Sequence, residues 1–292
     1  MPMSGTFTRS RLAFTAALSV LAAGAATYAQ SPVDDVLMRT AARVEQYFAR
    51  AQSIIFFEKT TVQPLRSDMG LEGFARVLES DLRVEWDPTA TGADAEAKVL
   101  REVRKVNGRA PKVVDDKNCL DPNPISPEPL AFLLPAERNA YAFSLAGRGK
   151  GKDSNTLMID FRSLEKGKPE MKQQPDKHEG CFSINIPGRV RGRVWIDSET
   201  YEVLRVDQQL TGRVDFRVPY EQVRKGMVDV LIIERYDVSI RYKPVMFHDP
   251  EETVLLPVSV DTLTMYRGAQ SHRTTQAFSN YRRFMTGGRL VK

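Results

Sequence analysis

Gly188-Arg189-Val190-Arg191-Gly192-Arg193-Val194-Trp195-Ile196-Asp197, with its return Val203-Leu204-Arg205-Val206-Asp207-Gln208-Gln209-Leu210, is the stretch on which the fold reading rests. Side chains on a strand point alternately to opposite faces. Val190, Val194 and Ile196 therefore share one face, and Arg191, Arg193 and Trp195 share the other. On the return strand Leu204, Val206 and Leu210 alternate with Val203, Arg205 and Asp207. The two apolar sets coincide if Ile196 lies opposite Leu204 and Val194 opposite Val206, around a three-residue loop Glu199-Thr200-Tyr201. That register sets Arg193 opposite Asp207 and lays Arg205 over Trp195. Moving Ile196 to face Glu202 would set Arg193 against Arg205, and a two-residue loop would split the apolar face. The first register is the expected one.

Outward from this hairpin the same period of two recurs. Leu78, Leu82, Val84 and Trp86 alternate with Glu79, Asp81, Arg83 and Glu85. Further strands are predicted over 54–62, 99–106, 141–145, 157–161, 228–242, 253–265 and 272–284. Asn107-Gly108, His248-Asp249-Pro250 and Arg267-Gly268 supply turn signals between them. Residues 111–129 carry five prolines, which excludes regular structure. A short helix is expected near Leu130-Ala131-Phe132-Leu133-Leu134, and residues 165–179 read as a solvated loop.

Ser31-Pro32 followed by Asp34-Asp35 has the chemistry of a helix start: a capping hydroxyl, a proline in the first turn and acids at the positive end of the dipole. Val33, Val36, Leu37, Ala41, Val44, Tyr47, Phe48 and Ala51 then form one apolar stripe at helical spacing. One long helix followed by strands at hairpin spacing predicts an α+β fold. Its large antiparallel sheet or incomplete β-barrel is covered by the N-terminal amphipathic helix. Residues 30–292 read as one domain, with 111–129 an excursion inside it.

Upstream, Arg9 and Arg11 precede a weakly apolar run from Leu12 to Ala26, and Thr27-Tyr28-Ala29 fits a signal-peptidase site. The run falls short of the ~20 apolar residues of a membrane span. A cleaved secretory leader over 1–29, a mature chain starting near Gln30 and a periplasmic or secreted, non-integral protein are expected. The net charge of +5 falls to +3 without Arg9 and Arg11, too mild and too scattered for a nucleic-acid partner. The chain's two cysteines, Cys119 and Cys181, are expected to pair in an oxidising compartment, stabilising the fold by ~4 kcal/mol in the chain-entropy picture.

No catalytic constellation is visible. The sequence lacks G-x-S-x-G, H-E-x-x-H, a P-loop and a dinucleotide fingerprint, and His178, His248 and His272 are scattered. Gly147-Arg148-Gly149-Lys150-Gly151-Lys152 reads as a hairpin tip, without the Ser/Thr and helix of a phosphate loop. No enzyme activity, metal or cofactor is expected. Phe57, Trp86 and Trp195 are the aromatic candidates for lining a ligand cavity, and Arg191, Arg193 and Arg205 the basic candidates for a head group.

The helix running into strand 54–62, the G-x-[apolar]-W-[apolar]-D strand at 188–197 with its apolar return, and the closing segments from Leu256-Pro257 to Phe278-Ser279-Asn280-Tyr281 resemble the periplasmic lipoprotein-carrier superfamily. LolA, LolB and the RseB-type sensor domain belong to it. The resemblance implies an incomplete barrel whose helix-plugged apolar concavity holds acyl chains, with lipid or a lipoprotein as partner. The proline-rich, cysteine-bearing loop departs from the short carriers. The same sheet could also serve a structural or interaction protein of the envelope without a small ligand.

Overall fold

The computed structural model describes residues 32–51, 53–86, 97–124, 128–149, 155–173, 181–224, 226, 228–248 and 251–283. The leader, Ser31, half of the glycine-basic tip (150–152) and the Asp249-Pro250 turn lie outside them. Helix α1 spans Pro32–Arg50 and buries Val36, Leu37, Ala41 and Val44 of the stripe read from the sequence, together with Thr40. Arg39 pairs with Asp35 at 3.1 Å, one turn apart on the wet side. Ser53 takes a left-handed φ of 55°, and the chain passes at once into strand β1, Ile54–Leu65.

The strands that follow are β2 (Arg76–Trp86), β3 (Ala97–Val106), β4 (Tyr141–Arg148), β5 (Thr156–Ser163), β6 (Glu170–Gln173) and β7 (Phe182–Asn185). Then come β8 (Val190–Asp197), β9 (Val203–Leu210), β10 (Val214–Arg217), β11 (Val230–His248), β12 (Glu251–Arg267) and β13 (Ser271–Arg283). Two short helices interrupt them, α2 (Pro135–Arg138) and α3 (Tyr220–Arg224). Eleven strands make one antiparallel sheet in the order β3-β2-β1-β13-β12-β11-β9-β8-β5-β4, with β10 added beside β11. The sheet stays open, ending at β3 and β4, and its first strand pairs with its last. Asn107 and Gly108, at φ 49° and 79°, reverse the chain after β3 as an Asn-Gly pair should.

Three expectations need correction. Residues 111–129 are not wholly irregular, because Val113–Lys117, which holds none of the five prolines, winds into a short 3-10 helix. The segment 165–179 is not all loop, because β6 pairs with β7 in a separate two-stranded ribbon. The β8–β9 register holds from Val190↔Leu210 to Trp195↔Arg205 and then shifts, so that Ile196 faces Val203 and not Leu204. The cause lies in the turn. Asp197 accepts backbone N–H bonds from Glu199 (2.9 Å) and Thr200 (2.8 Å), and Tyr201 adopts a left-handed φ of 60°. This longer turn is absorbed by a bulge at Leu204. Val203 is buried in its place, and Leu204 stays half-exposed.

The face of the sheet that carries α1, here the inner face, presents Ile159, Val194, Ile196, Val206, Ile240, Tyr242, Val254 and Leu256 to the helix. The irregular helical turn Glu128–Leu133 packs beside α1 and inserts Leu130 and Leu133. Phe132, Tyr141, Phe143 and Phe161 cluster there, with ring centroids 4.6–6.3 Å apart. Gly192 makes room for them: a Cβ at this position would lie 2.6 Å from the Phe161 ring. Each fully buried Leu or Val contributes roughly 1.5–3 kcal/mol, so burial is the principal force holding α1 down.

Candidate functional site

The inner face has two differently built halves. Under the C-terminal half of α1, Val44 and Tyr47 face Leu130, Val203, Tyr242 and Val254 around a void of about 30 Å³. That holds one or two waters, far less than the several hundred Å³ of a ligand pocket. Burial raises the phenol pKa values of Tyr47 and Tyr242 well above their ordinary value, so both stay neutral. Described polar ties between α1 and the rest of the chain include Arg43 Nε donating to the Thr200 carbonyl at 2.8 Å and an Arg283 guanidinium nitrogen donating to the Arg50 carbonyl at 3.1 Å. The Arg39 guanidinium adds a contact 5.1 Å from the Tyr201 ring centre.

Under the proline-rich loop the inner face turns polar. β1 places Glu58 and Thr60 on the same face as Phe56 and Val62, and all four are buried. Glu58, fully buried, accepts from Arg101 Nη2 at 2.9 Å and from Gln276 Nε2 at 2.8 Å. Arg101 also donates to the Pro122 carbonyl at 2.5 Å. Arg76 forks onto Asp121 through Nε (2.7 Å) and Nη2 (2.8 Å). Asp115 is gripped by Arg109 and by the Lys112 N–H, which hold its carboxyl down at about 2. Cys119 and Cys181 complete the anchoring as a disulfide, with Cα atoms 5.0 Å apart. The loop is thus strapped to the sheet by two arginines and to the residue preceding β7, in the separate ribbon, by one covalent bond. None of Glu58, Arg76 and Arg101 was singled out from sequence, although a charge at position 58 on the apolar parity of β1 was the available signal.

Most of the candidate ligand residues lie on the opposite, outer face. Phe57 pairs with Ser279 and Asp81, turned away from the core, and sits several strands from β8. Trp195 is also on the outer face, with Arg205 at 4.6 Å and Arg193 at 6.0 Å from its ring centre. Neither aromatic lines the inner concavity; strand alternation forbids it. Trp86 ends β2 on the inner-face parity, but its side chain lies outside the described residues. Arg193 forks onto Asp160 (2.6 and 3.0 Å), and Arg205 onto Asp207 (2.7 and 2.6 Å). Arg191 is exposed. Trp195, Arg191, Arg193, Asp160 and Asp207 line an open trough of about 1050 Å³ reaching from Ala142 on β4 to Arg273 on β13.

Among the described residues no group of His, Cys, Asp and Glu could hold a metal ion, and no helix is long and apolar enough to cross a membrane. The fold and the inner face together define an open antiparallel sheet capped by one amphipathic helix. Two solved structures are similar to it over most of its length. A LolA superfamily protein from Nitrosomonas europaea covers 86% of this chain and 94% of its own, at 6% identity and a TM-score of 0.36. A domain from Vibrio parahaemolyticus, named for outer membrane lipoprotein sorting, covers 87% and 93%, at 11% identity and a TM-score of 0.38. No protein-family model and no curated protein matches the sequence.

Proposed function

We propose that this chain is a non-enzymatic periplasmic binding module that holds a lipid or lipidated protein against its apolar inner face, as a carrier or envelope sensor. The observation that carries this reading is the nature of the α1 cover. The helix buries an apolar stripe on an apolar sheet, and its described polar ties through Arg43 and Arg50 lie at the surface. Acyl chains offer the same kind of surface at roughly 25 cal/mol per Å², so lipid can take the helix's place at small net cost. The closed interior then corresponds to the unloaded state. The disulfide fits an oxidising compartment, and the sequence resemblance points the same way.

Native mass spectrometry of protein purified from periplasm tests the reading. The expected result is a co-purifying adduct of lipid mass that organic extraction removes. Protein that carries no adduct and takes up no fluorescent fatty-acyl probe defeats it. A second reading, an envelope interaction protein whose inner face is never vacated, is favoured by the 30 Å³ void and by the exposed Phe74 and Val113. Hydrogen exchange separates the two: lipid should speed exchange of α1 amides in the first and leave them unchanged in the second.

A further inference from the structure

The outer face is laid out in cross-strand rows. One row runs Arg162↔Arg191↔Gln209↔Asp237↔Leu263↔Arg273 across β5, β8, β9, β11, β12 and β13. The next runs Asp160↔Arg193↔Asp207↔Ser239↔Asp261↔Thr275. In the second row the acids are satisfied from within. Asp160 takes Arg193, Asp207 takes Arg205 and the Ser239 hydroxyl at 2.7 Å, and Asp261 takes the Thr275 hydroxyl at 3.1 Å. Asp237, in the first row, is held by Arg235.

Arg162 and Arg191 are different. They face each other directly on adjacent strands, both exposed, and no described carboxylate lies within ion-pair distance of either. Like charges opposite one another repel, and the acids that could relieve them are already occupied. The two arginines occupy directly paired positions with Gln209 next in the row, and all three line the trough. Tetrahedral oxyanions match guanidinium forks through paired charge-assisted hydrogen bonds.

We propose that the Arg162–Arg191 end of the outer trough binds a phosphate-type oxyanion, carried by a lipid head group or free in solution. The trough's volume suits a phosphate-bearing group of small-molecule size. This site lies on the face away from α1 and is independent of the inner-face reading: either can fail alone.

The test uses purified protein at low salt, titrated with inorganic pyrophosphate by calorimetry and sedimented with vesicles of phosphatidylcholine with or without phosphatidylglycerol. Arg162→Gln and Arg191→Gln are compared with Arg213→Gln, which removes an exposed arginine paired with Asp215 outside the trough. Melting curves confirm that all three fold. Saturable pyrophosphate binding that weakens at least about tenfold in both trough variants and not in Arg213→Gln supports the site, with free phosphate as source. Binding only to phosphatidylglycerol vesicles, lost in the same two variants, supports it with a head group as source. Absence of binding to either probe, binding that survives both trough substitutions, or an equal loss in Arg213→Gln overturns it.

Discussion

Beneath α1 the sheet offers Val194, Ile196, Val206 and Tyr242 to a helix that answers with Leu37, Ala41 and Val44. Beneath the Cys119 loop it offers Glu58, Arg76 and Arg101 to a segment that answers with Asp115, Asp121 and a carbonyl. The first cover is held by area, which any apolar surface can supply. The second is held by direction: forked hydrogen bonds, a buried ion pair and a disulfide. Area is exchangeable and direction is not. On the proposed reading, the difference assigns the exchangeable cover to the helix and the fixed wall to the loop.

Val44→Asp should break the comparison most violently. Val44 is 1% exposed, and an unpaired carboxylate there should cost at least about 5 kcal/mol. A melting temperature unchanged by the substitution would show that α1 is peripheral. On the loop side, Arg101→Met leaves Glu58 buried without its cation and should cost about 3–5 kcal/mol. The double variant Glu58→Leu/Arg101→Met should recover most of that loss. If single and double variants melt alike in chemical denaturation, the pair does not act as a unit.

Reducing Cys119–Cys181 comes next, at about 2–4 kcal/mol. It should also loosen residues 111–124 in hydrogen exchange without speeding the α1 amides. Equal loosening of both covers would erase the distinction between them. Acid gives the smallest effect. Asp115 is held at about 2 in the fold, against an ordinary 3.8, by Arg109 and the Lys112 N–H. Its folded pKa is depressed, so its contribution is complete above about pH 4 and is lost as pH falls toward 2. Wild type should therefore exceed Asp115→Asn in urea stability at pH 5, with the gap narrowing at pH 2.5. A gap independent of pH would assign the effect to packing.

Parity made much of this legible beforehand. Alternation at 190–196 and 204–210 placed Arg193 against Asp207 and Trp195 against Arg205, both as found. Helical spacing at 33–51 named the stripe that α1 buries. The bulge at Leu204 escaped because it depends on a left-handed Tyr201, and tyrosine carries no such signature. Strands β6 and β7 escaped because they are four residues each and polar or half-buried throughout. The Arg162–Arg191 pairing was invisible for another reason. It is set by which strands become neighbours across a long loop, which no local pattern encodes. Phe57 and Trp195 were candidates for the concavity on aromatic character alone, although alternation had already put Trp195 beside the arginines.

The pairing of β1 with β13 also sets the order in which the chain can assemble. Strands β8 to β12 join neighbours near them in sequence, so this block can form while the rest is loose. The meander β1-β2-β3 attaches to the block only through the final strand, so its docking must await nearly the whole chain. Loop closure on that scale is slow compared with hairpin formation. Until it happens the early segment is exposed to wrong pairings and to proteases. Pulse-labelling during refolding should find β8–β9 amides protected before those of β1, and a chain ending at Gly268, lacking β13, should keep β1 unprotected throughout. Early protection of β1 in that shortened chain would mean the sheet nucleates from its N-terminal edge.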